Sequence, residues 1–581
     1  MSERTQGLTL AGLGVSVLLF GLTPVIATAQ MGWGGRLVGM QPPAAPGADD
    51  YHPGRVLVRF RADAEVEQRQ AAHAVAGALE TLREYQAVPG LVLVRVPAGT
   101  VRAAVAAYVA APAVLYAEPD YRHYPAAIPN DPYFGELWGL HNTGQTVNGD
   151  PGTPDADIDA PEAWDIWTGD PDLRIGVIDS GINYEHEDLA GNMWTNPGEI
   201  PGNEQDDDGN GYVDDVHGYD FFNDDGDPMD YYFHGSHCAG TIGAVGDNGI
   251  GVVGVNWRCS LVALVTDYWS STNILALQYC MDNGVRISNN SYSSGMYSQA
   301  FYDAIEASQS TGHIFVAAAH NYGSNNDADP VYPASFDLPN IIAVAAIDND
   351  DHLTPWSNWG ATSVDLAGPG DTVLSTVLGQ DYQYEYGTSM ATPHVAGVAG
   401  LVMSRFPELP WRSLSGAILD TVRPVESLQG RTVTGGVVNA YNVLARLTGD
   451  CNGNGEADGD DIGNLVSPDC NYNGVPDECD LDPNDPDGDG RVSPDCQPNG
   501  VPDECDIAEG TSADINANGI PDECECVGDI TGDGHTDQAD LGSLLAYWGC
   551  TGDDCIGDID HDGFVGQTDL GILLADWGCS Q

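Results

Sequence analysis

Between residues 173 and 405, short apolar runs alternate with helix-length segments, and that alternation constrains the fold more than any other feature of the chain. LRIGVID (173–179), LVALVTD (261–267), VRISNNS (285–291), IFVAAA (314–319) and IIAVAAI (341–347) read as short buried strands. TNILALQYCMDN (272–283), SQAFYDAIEASQS (298–310) and SMATPHVAGVAGLVMSR (389–405) read as helices. Strands alternating with helices predict an α/β domain on a doubly wound parallel sheet, with ligands at the carboxyl ends of the strands. Asp179 ends the first strand, and Ser389 opens the last helix, where the helix dipole favours developing negative charge.

Three segments hold the polar residues that nucleophilic catalysis needs: VIDSG (177–181), HGSHCAGTIG (234–243) and GTSMATPHVAG (387–397), with Asp179, His234 and Ser389. A serine hydroxyl needs a base to take its proton, and the base needs a carboxylate to fix its tautomer. Alone, each residue reads as a cap, a surface imidazole or a helix-start hydroxyl. Together, flanked by small residues and in the order Asp, His, Ser, they resemble the subtilases, the subtilisin-like serine endopeptidases. The resemblance spans 130–447 and takes in WGLHNTGQ (138–145), DAPEAW (159–164), YPAS (332–335), SNWGATSVDLAGPG (357–370) and GGVVNAYNVL (435–444). It implies that Asp179 orients His234, and that His234 takes the Ser389 proton and later gives it to the leaving amine. It also makes Asn321 the oxyanion-hole amide, beside the Ser389 N–H. His237 reads as a packing residue and Cys238 as a small buried one.

Two departures from the family pattern concern the substrate pocket. Ala318-Ala319-His320-Asn321 carries His320 where a glycine is usual, and Ser291-Tyr292-Ser293-Ser294 stands where Ser-Leu-Gly-Gly is common. With His320, Ser291, Tyr292 and Ser293 as substrate-binding residues, the added side chains predict a smaller or more polar pocket.

The ends of the chain read differently. Arg4, an apolar run from Leu8 to Phe20 and Ala27-Thr28-Ala29 form a secretory signal pattern over 1–29, which predicts a secreted or cell-surface protein. Residues 30–53 resemble a linker. Residues 54–124, with two alternating strands, two helices and a closing strand, resemble the subtilase inhibitor propeptide, a small α+β domain. That segment holds eight of the 19 arginines, which suits docking to an acidic enzyme.

The chain has 87 acidic residues and no lysine, a balance that repels nucleic acid and anionic membranes. It fits calcium ligands, a salt-suited surface, or both. In QDDDGNGYVDD (205–215), Asp206, Asp208, Asn210 and the Tyr212 carbonyl fall at EF-loop positions, with Asp215 closing the site. The family resemblance adds Asp188, with Asp131 and Asn248, as a second calcium site.

From Asp450 onward there are 33 acids, and ten of the 13 cysteines follow residue 450, which predicts disulfide staples. SPDC and NGVPDEC or NGIPDEC repeat through 450–526 and resemble thrombospondin type 3-like calcium loops. Residues 527–581 resemble a dockerin pair. Its candidate ligands are Asp529, Asp533, Asp537 and Asp540 in one loop and Asp558, Asp560, Asp562 and Asp569 in the other. A cohesin-like or cell-surface partner, or a calcium-stiffened stalk, are equal readings of this pair. The whole predicts a secreted calcium-dependent serine endopeptidase, made as an autoprocessed zymogen and acting on protein or peptide substrates. A narrow-specificity processing protease, and a catalytically weak calcium-stiffened adhesive or scaffold protein, stay open as alternatives.

Overall fold

A computed structural model describes residues 51–579, apart from 62–63, 86–87, 98, 122–126, 484, 488–490, 498, 516–518, 533 and 553–554. The signal-like segment 1–29, most of the linker and Asp533 lie outside the described residues.

The first domain is a four-stranded antiparallel sheet under two helices: β1 (Tyr51–Phe60), α1 (Val66–Val75), β2 (Glu80–Glu84), β3 (Leu91–Arg95), α2 (Val101–Val109) and β4 (Val114–Tyr121), in the order β2-β3-β1-β4. β1 begins inside the stretch whose composition suggests a linker. Alternation puts Val56, Val58 and Phe60 of β1 on one face with Val92 and Val94 of β3, opposed in register. Ala72, Ala104 and Tyr108 cover that face from the helices.

The central domain begins with a short ribbon, β5 (Thr146–Val147) and β6 (Asp150–Pro151), and α3 (Ala160–Trp164). Then come β7 (Gly169–Asp179), β8 (Gly218–Asp220), α4 (His234–Gly243), β9 (Arg258–Val265), α5 (Ser270–Asp282), β10 (Ile287–Asn290), α6 (Gln299–Ser308), β11 (Ile314–Ala318), β12 (Ile341–Ile347) and β13 (Leu366–Pro369). A hairpin, β14 (Val373–Thr376) and β15 (Tyr382–Glu385), precedes α7 (Thr388–Arg405), α8 (Trp411–Asp420), β16 (Arg423–Pro424), β17 (Gly436–Val437) and α9 (Ala440–Leu447). The nine-stranded sheet runs β16-β17-β13-β12-β11-β10-β7-β9-β8 and is parallel except at β16. This is the predicted α/β architecture.

Helix α7 is buried from Thr388 to Met403 except at Ser389, so it runs through the core. Its glycines permit that: a Cβ on Gly397 would come within 2.7 Å of the Val255 side chain.

The acidic region follows with α10 (Asp458–Gly463), α11 (Asp477–Asp480), α12 (Asp503–Glu509), α13 (Gln538–Ala546) and α14 (Gln567–Ala575). Disulfides join Cys451–Cys479, Cys470–Cys505 and Cys496–Cys524. In each, the cysteine after the first acid of one repeat bonds the cysteine of the next repeat's Asp-Glu-Cys, so consecutive repeats are chained. Cys526–Cys579 and Cys550–Cys555 close the last pair, while Cys238, Cys259 and Cys280 are free and buried.

The first two repeats are docked on the central domain. Ile462 joins its core, a Cβ on Gly416 of α8 would come within 1.8 Å of the Tyr472 carbonyl oxygen, and Asp420 is bonded by both Arg446 and Arg491 at 2.6 Å. Among the described residues, no helix is long and apolar enough to cross a membrane.

Candidate active site

Asp179 ends β7 opposite Val265 of β9, and the Thr266 N–H bonds the Asp179 carbonyl at 3.0 Å, so the pairing carries past the strand end. The carboxylate is fully buried and meets His234 Nδ1 through both oxygens, at 2.8 and 2.9 Å. The Ser180 N–H at 2.7 Å and the Tyr268 hydroxyl at 3.1 Å donate to Oδ1 as well.

His234 opens α4 from a strained turn: Phe233 has φ +83°. Buried Asp230 holds that turn. It accepts the Tyr232 and Phe233 N–H groups and the Ser180 hydroxyl on Oδ1, and Ser236 on Oδ2. Only glycine fits next to His234, because a Cβ on Gly235 would come within 2.1 Å of the Gly181 carbonyl oxygen. Burial alone would lower the His234 pKa; the Asp179 charge and hydrogen bond, with Asp230 and Glu385, raise it above the ordinary value.

Ser389 stands in the first turn of α7, which packs on α4. Its hydroxyl donates to the Ser291 carbonyl at 3.2 Å, and its carbonyl accepts the Ser291 hydroxyl at 3.0 Å and the Cys238 thiol at 3.4 Å. Asn321 is held by its oxygen, which accepts the Thr388 N–H at 2.8 Å and the Thr388 hydroxyl at 3.0 Å. Its amide nitrogen is thereby left as the donor, on the side of Gly387.

His320 has φ +89°, the left-handed region that favours glycine. Its N–H bonds the Thr388 hydroxyl at 3.1 Å and its ring lies edge-on to Tyr322, 4.0 Å between centroids. Burial lowers its pKa. Tyr292 packs against the core on both sides of β10, and its hydroxyl donates to Asn290, so its ring is committed inward. Ser293, next along, is half-buried. His237 is buried and bonded to the Val373 and Gln383 carbonyls, and burial lowers its pKa to about 4.

The candidate metal ligands fall into separate groups. Asp208 and Asp215 converge with Glu199, a residue outside the 205–215 motif: six residues separate it from Asp206. Glu199 is buried, and its Oε2 has no partner. Asn196 and Asn210 both donate to Asp208 and Asp215. Asp206 turns to its own loop, accepting the Gly209, Asn210 and Gly211 N–H groups. The Tyr212 ring packs on Tyr219, Phe221 and Tyr279.

Asp188 is fully buried and accepts from Asn248 at 2.8 Å, the Val252 N–H at 2.8 Å and Tyr382 at 3.2 Å; burial raises its pKa to about 6. Buried Asp131 bonds the Asp247 N–H through one oxygen and leaves the other without a partner.

In the last repeats, Asp558, Asp560 and Asp569 converge, and Asp562 bonds the Phe564 N–H. Asp529 accepts the Gly532 and Gly534 N–H groups, Asp537 caps α13, and Asp540 accepts the Thr531 and Asp537 N–H groups.

The subtilase family profile matches residues 170–449, and a fervidolysin N-terminal prodomain profile matches 40–120. Over 361 residues the chain is 34% identical to a thermophilic serine proteinase of Bacillus sp. (strain AK1), covering 61% of this chain and 79% of that protein. The chain belongs to the subtilase family. It is likewise 34% identical to thermitase of Thermoactinomyces vulgaris, over 48% of this chain and 86% of that one. A solved protease from Pseudoalteromonas arctica PAMC 21717 aligns at 25% identity and a TM-score of 0.44, over 55% of this chain and 98% of its own. This subtilase is a serine endopeptidase with a fervidolysin-like prodomain, hence a zymogen.

Proposed function

We propose that Asp179, His234, Ser389 and Asn321 are the catalytic residues of a secreted, calcium-stabilised endopeptidase that cuts its own prodomain. The observation that carries this reading is the buried Asp179 carboxylate bonded through both oxygens to His234 Nδ1. That bond leaves Nε2 as the proton acceptor. On rotation away from the Ser291 carbonyl, the Ser389 hydroxyl gives its proton to Nε2 as Oγ attacks the scissile carbonyl carbon. Asn321 Nδ2 and the Ser389 N–H donate to the oxyanion, a contribution of roughly 10²–10³ in rate per donor. His234 then protonates the amine, the C–N bond breaks, and water, deprotonated by His234, releases the acid from acyl-Ser389.

Calcium fits two places in the central domain by donor chemistry: Glu199, Asp208 and Asp215, and Asp188 with Asp131 and Asn248. In both, a buried carboxylate oxygen lacks a partner, as expected where a hard cation completes the set. Bound there, the ion would stiffen segments that lead to His234. The converging carboxylates of 558–569 support a calcium-loaded tail as well. The signal-like 1–29 supports export. A tail partner, cohesin-like or at the cell surface, rests on the resemblance of 527–581 alone.

Ser389→Ala, expressed by itself, should stay uncut between Tyr121 and Asn130 and hydrolyse no peptide. Loss of the prodomain at one defined site in that variant would mean that another protease matures the enzyme.

A further inference from the structure

The reading of the active site leaves Tyr268 unused. It stands three residues past the end of β9, where the chain turns away from the sheet with φ +63°. For an aromatic residue that backbone is strained, and strain of this kind persists where the surroundings demand it. Its hydroxyl donates to Asp179 Oδ1 at 3.1 Å and bonds nothing else among the described residues. The same oxygen accepts Ser180 N–H and His234 Nδ1, so three donors converge on it. The Tyr268 ring lies 5.8 Å from the Tyr292 ring; the residue is 44% exposed, whereas Asp179 is 0% exposed. Tyr268 thus reaches from the surface to the buried carboxylate. Burial and the Asp179 charge push its phenol far above the ordinary value, so it stays a donor throughout the working range.

We propose that Tyr268 is a positioning residue of the triad, its hydroxyl fixing the Asp179 carboxylate against His234 and its ring keeping water from that carboxylate. The inference rests on the reading of Asp179, His234 and Ser389 as the catalytic residues. Ser180 N–H comes from the next residue of the chain and His234 from α4. Tyr268 supplies a third anchor from the neighbouring strand end. A donated hydrogen bond also takes up part of the Asp179 charge that would otherwise act on the imidazolium.

The test is Tyr268→Phe in the mature, calcium-loaded enzyme, with Ser389→Ala and Asp179→Asn in parallel, each matured by an added protease where it does not process itself. Removing only the hydroxyl should lower kcat about tenfold, the worth of a hydrogen bond to a charged group, and leave KM within about twofold. The acid limb of kcat/KM should move to higher pH, because Asp179 then acts on His234 with its full charge. The other titratable groups near His234, namely Asp230, Glu385, His237 and Cys238, are unchanged by the substitution. A packing role alone would not move that limb.

Wild-type kcat, KM and pH profile in Tyr268→Phe, with both control variants inactive, overturns the role of Tyr268 and leaves the triad standing. Activity in Ser389→Ala overturns the triad and this inference with it. Should Tyr268→Phe fail to self-process, the His234 Nδ1 proton can be followed by NMR in Ser389→Ala with and without Tyr268→Phe. Its resonance should shift, and an unmoved resonance counts against the proposal.

Discussion

Around α7 the central domain buries Ile175, Val177, Val316, Val344, Val395 and Leu401, all fully inaccessible. In the acidic tail aliphatic burial is sparser, with Leu544, Val565 and Leu573 forming a small core, and carboxylates are buried as well: Asp458, Asp461, Asp477, Asp503, Asp540 and Asp569, with Cys479 and Cys505. Burial of aliphatic surface stabilises a fold at any ordinary pH, at roughly 25 cal/mol per Å². Burial of carboxylates does the reverse unless hydrogen bonds, protons or cations answer the charge. Backbone N–H groups answer part of it, as Cys451 and Cys470 do for Asp458 and Asp477. The chained disulfides constrain the rest by limiting the unfolded chain. The proposed catalytic site therefore sits in the part whose core is built of aliphatic side chains. The tail carries buried charge that protons or cations would have to answer.

The largest effect that would sharpen this contrast is functional. Ser389→Ala should reduce peptide hydrolysis by about 10⁴-fold or more and leave the tail's calcium response untouched. A change in that response, followed by circular dichroism, would show that the two regions are not separable.

Chelation should act next, and unevenly. A ligand that binds only the folded state stabilises it by about 4 kcal/mol at a thousandfold excess over Kd. With EGTA, residues beyond 481 should expand first in small-angle scattering of full-length Ser389→Ala, while the melting of the central domain shifts but stays cooperative. The repeats at 450–480 should hold longer, because Ile462, Tyr472 and Gly474 pack on the central domain. Simultaneous loss of both parts would erase the distinction between docked and free repeats.

The pH response of the metal-free tail should run opposite to ordinary acid denaturation. Burial raises Asp458 to about 7, and Asp469 and Asp477 to about 6. The folded 450–480 segment thus holds protons that the unfolded chain gives up near pH 4, at about the ordinary Asp value. Its stability is full below about pH 4 and falls as pH rises through about 6 to 7. In EGTA the radius should grow over that window, and with calcium it should not. Growth on acidification instead would contradict the sign.

Gly416→Ala tests the docking itself. The new methyl meets the Tyr472 carbonyl, so the helix propensity gained by α8 should be outweighed by overpacking, about 1–3 kcal/mol. Protease nicking within 464–475 should increase, with peptide hydrolysis unchanged. The smallest effect belongs to His320→Gly. It relieves the φ of +89° and keeps the N–H that bonds Thr388, so it should stabilise the central domain by about 1 kcal/mol. It should widen P1 acceptance toward large aromatic residues with little change for small ones. Equal loss on every peptide would make His320 a support of the oxyanion site instead.

Much of the central domain was legible because buried parallel strands and one long apolar helix leave strong local patterns. Asp179, His234 and Ser389 are proposed from motifs of small residues, and the structure gives a packing reason for some of those residues, as at Gly235 and Gly397. Asn321 is proposed from the motifs that flank it. What escaped was set by tertiary contact. Glu199 joins Asp208 and Asp215 from outside any spacing motif, Tyr268 reaches Asp179 only through a left-handed turn, and Tyr292, expected at the pocket wall, turns into the core. Tyr472 docks the tail through its carbonyl, which no side-chain pattern records. The disulfide chain follows the repeat register, but which cysteines pair depends on how successive repeats stack.

The measurement closest to the central claim is active-site labelling. Mature enzyme treated with a fluorophosphonate and mapped by peptide mass spectrometry should carry a single adduct on Ser389, and His234→Ala, matured by an added protease, should carry almost none. An adduct on another residue, or equal labelling of Ser389 without His234, would contradict the account.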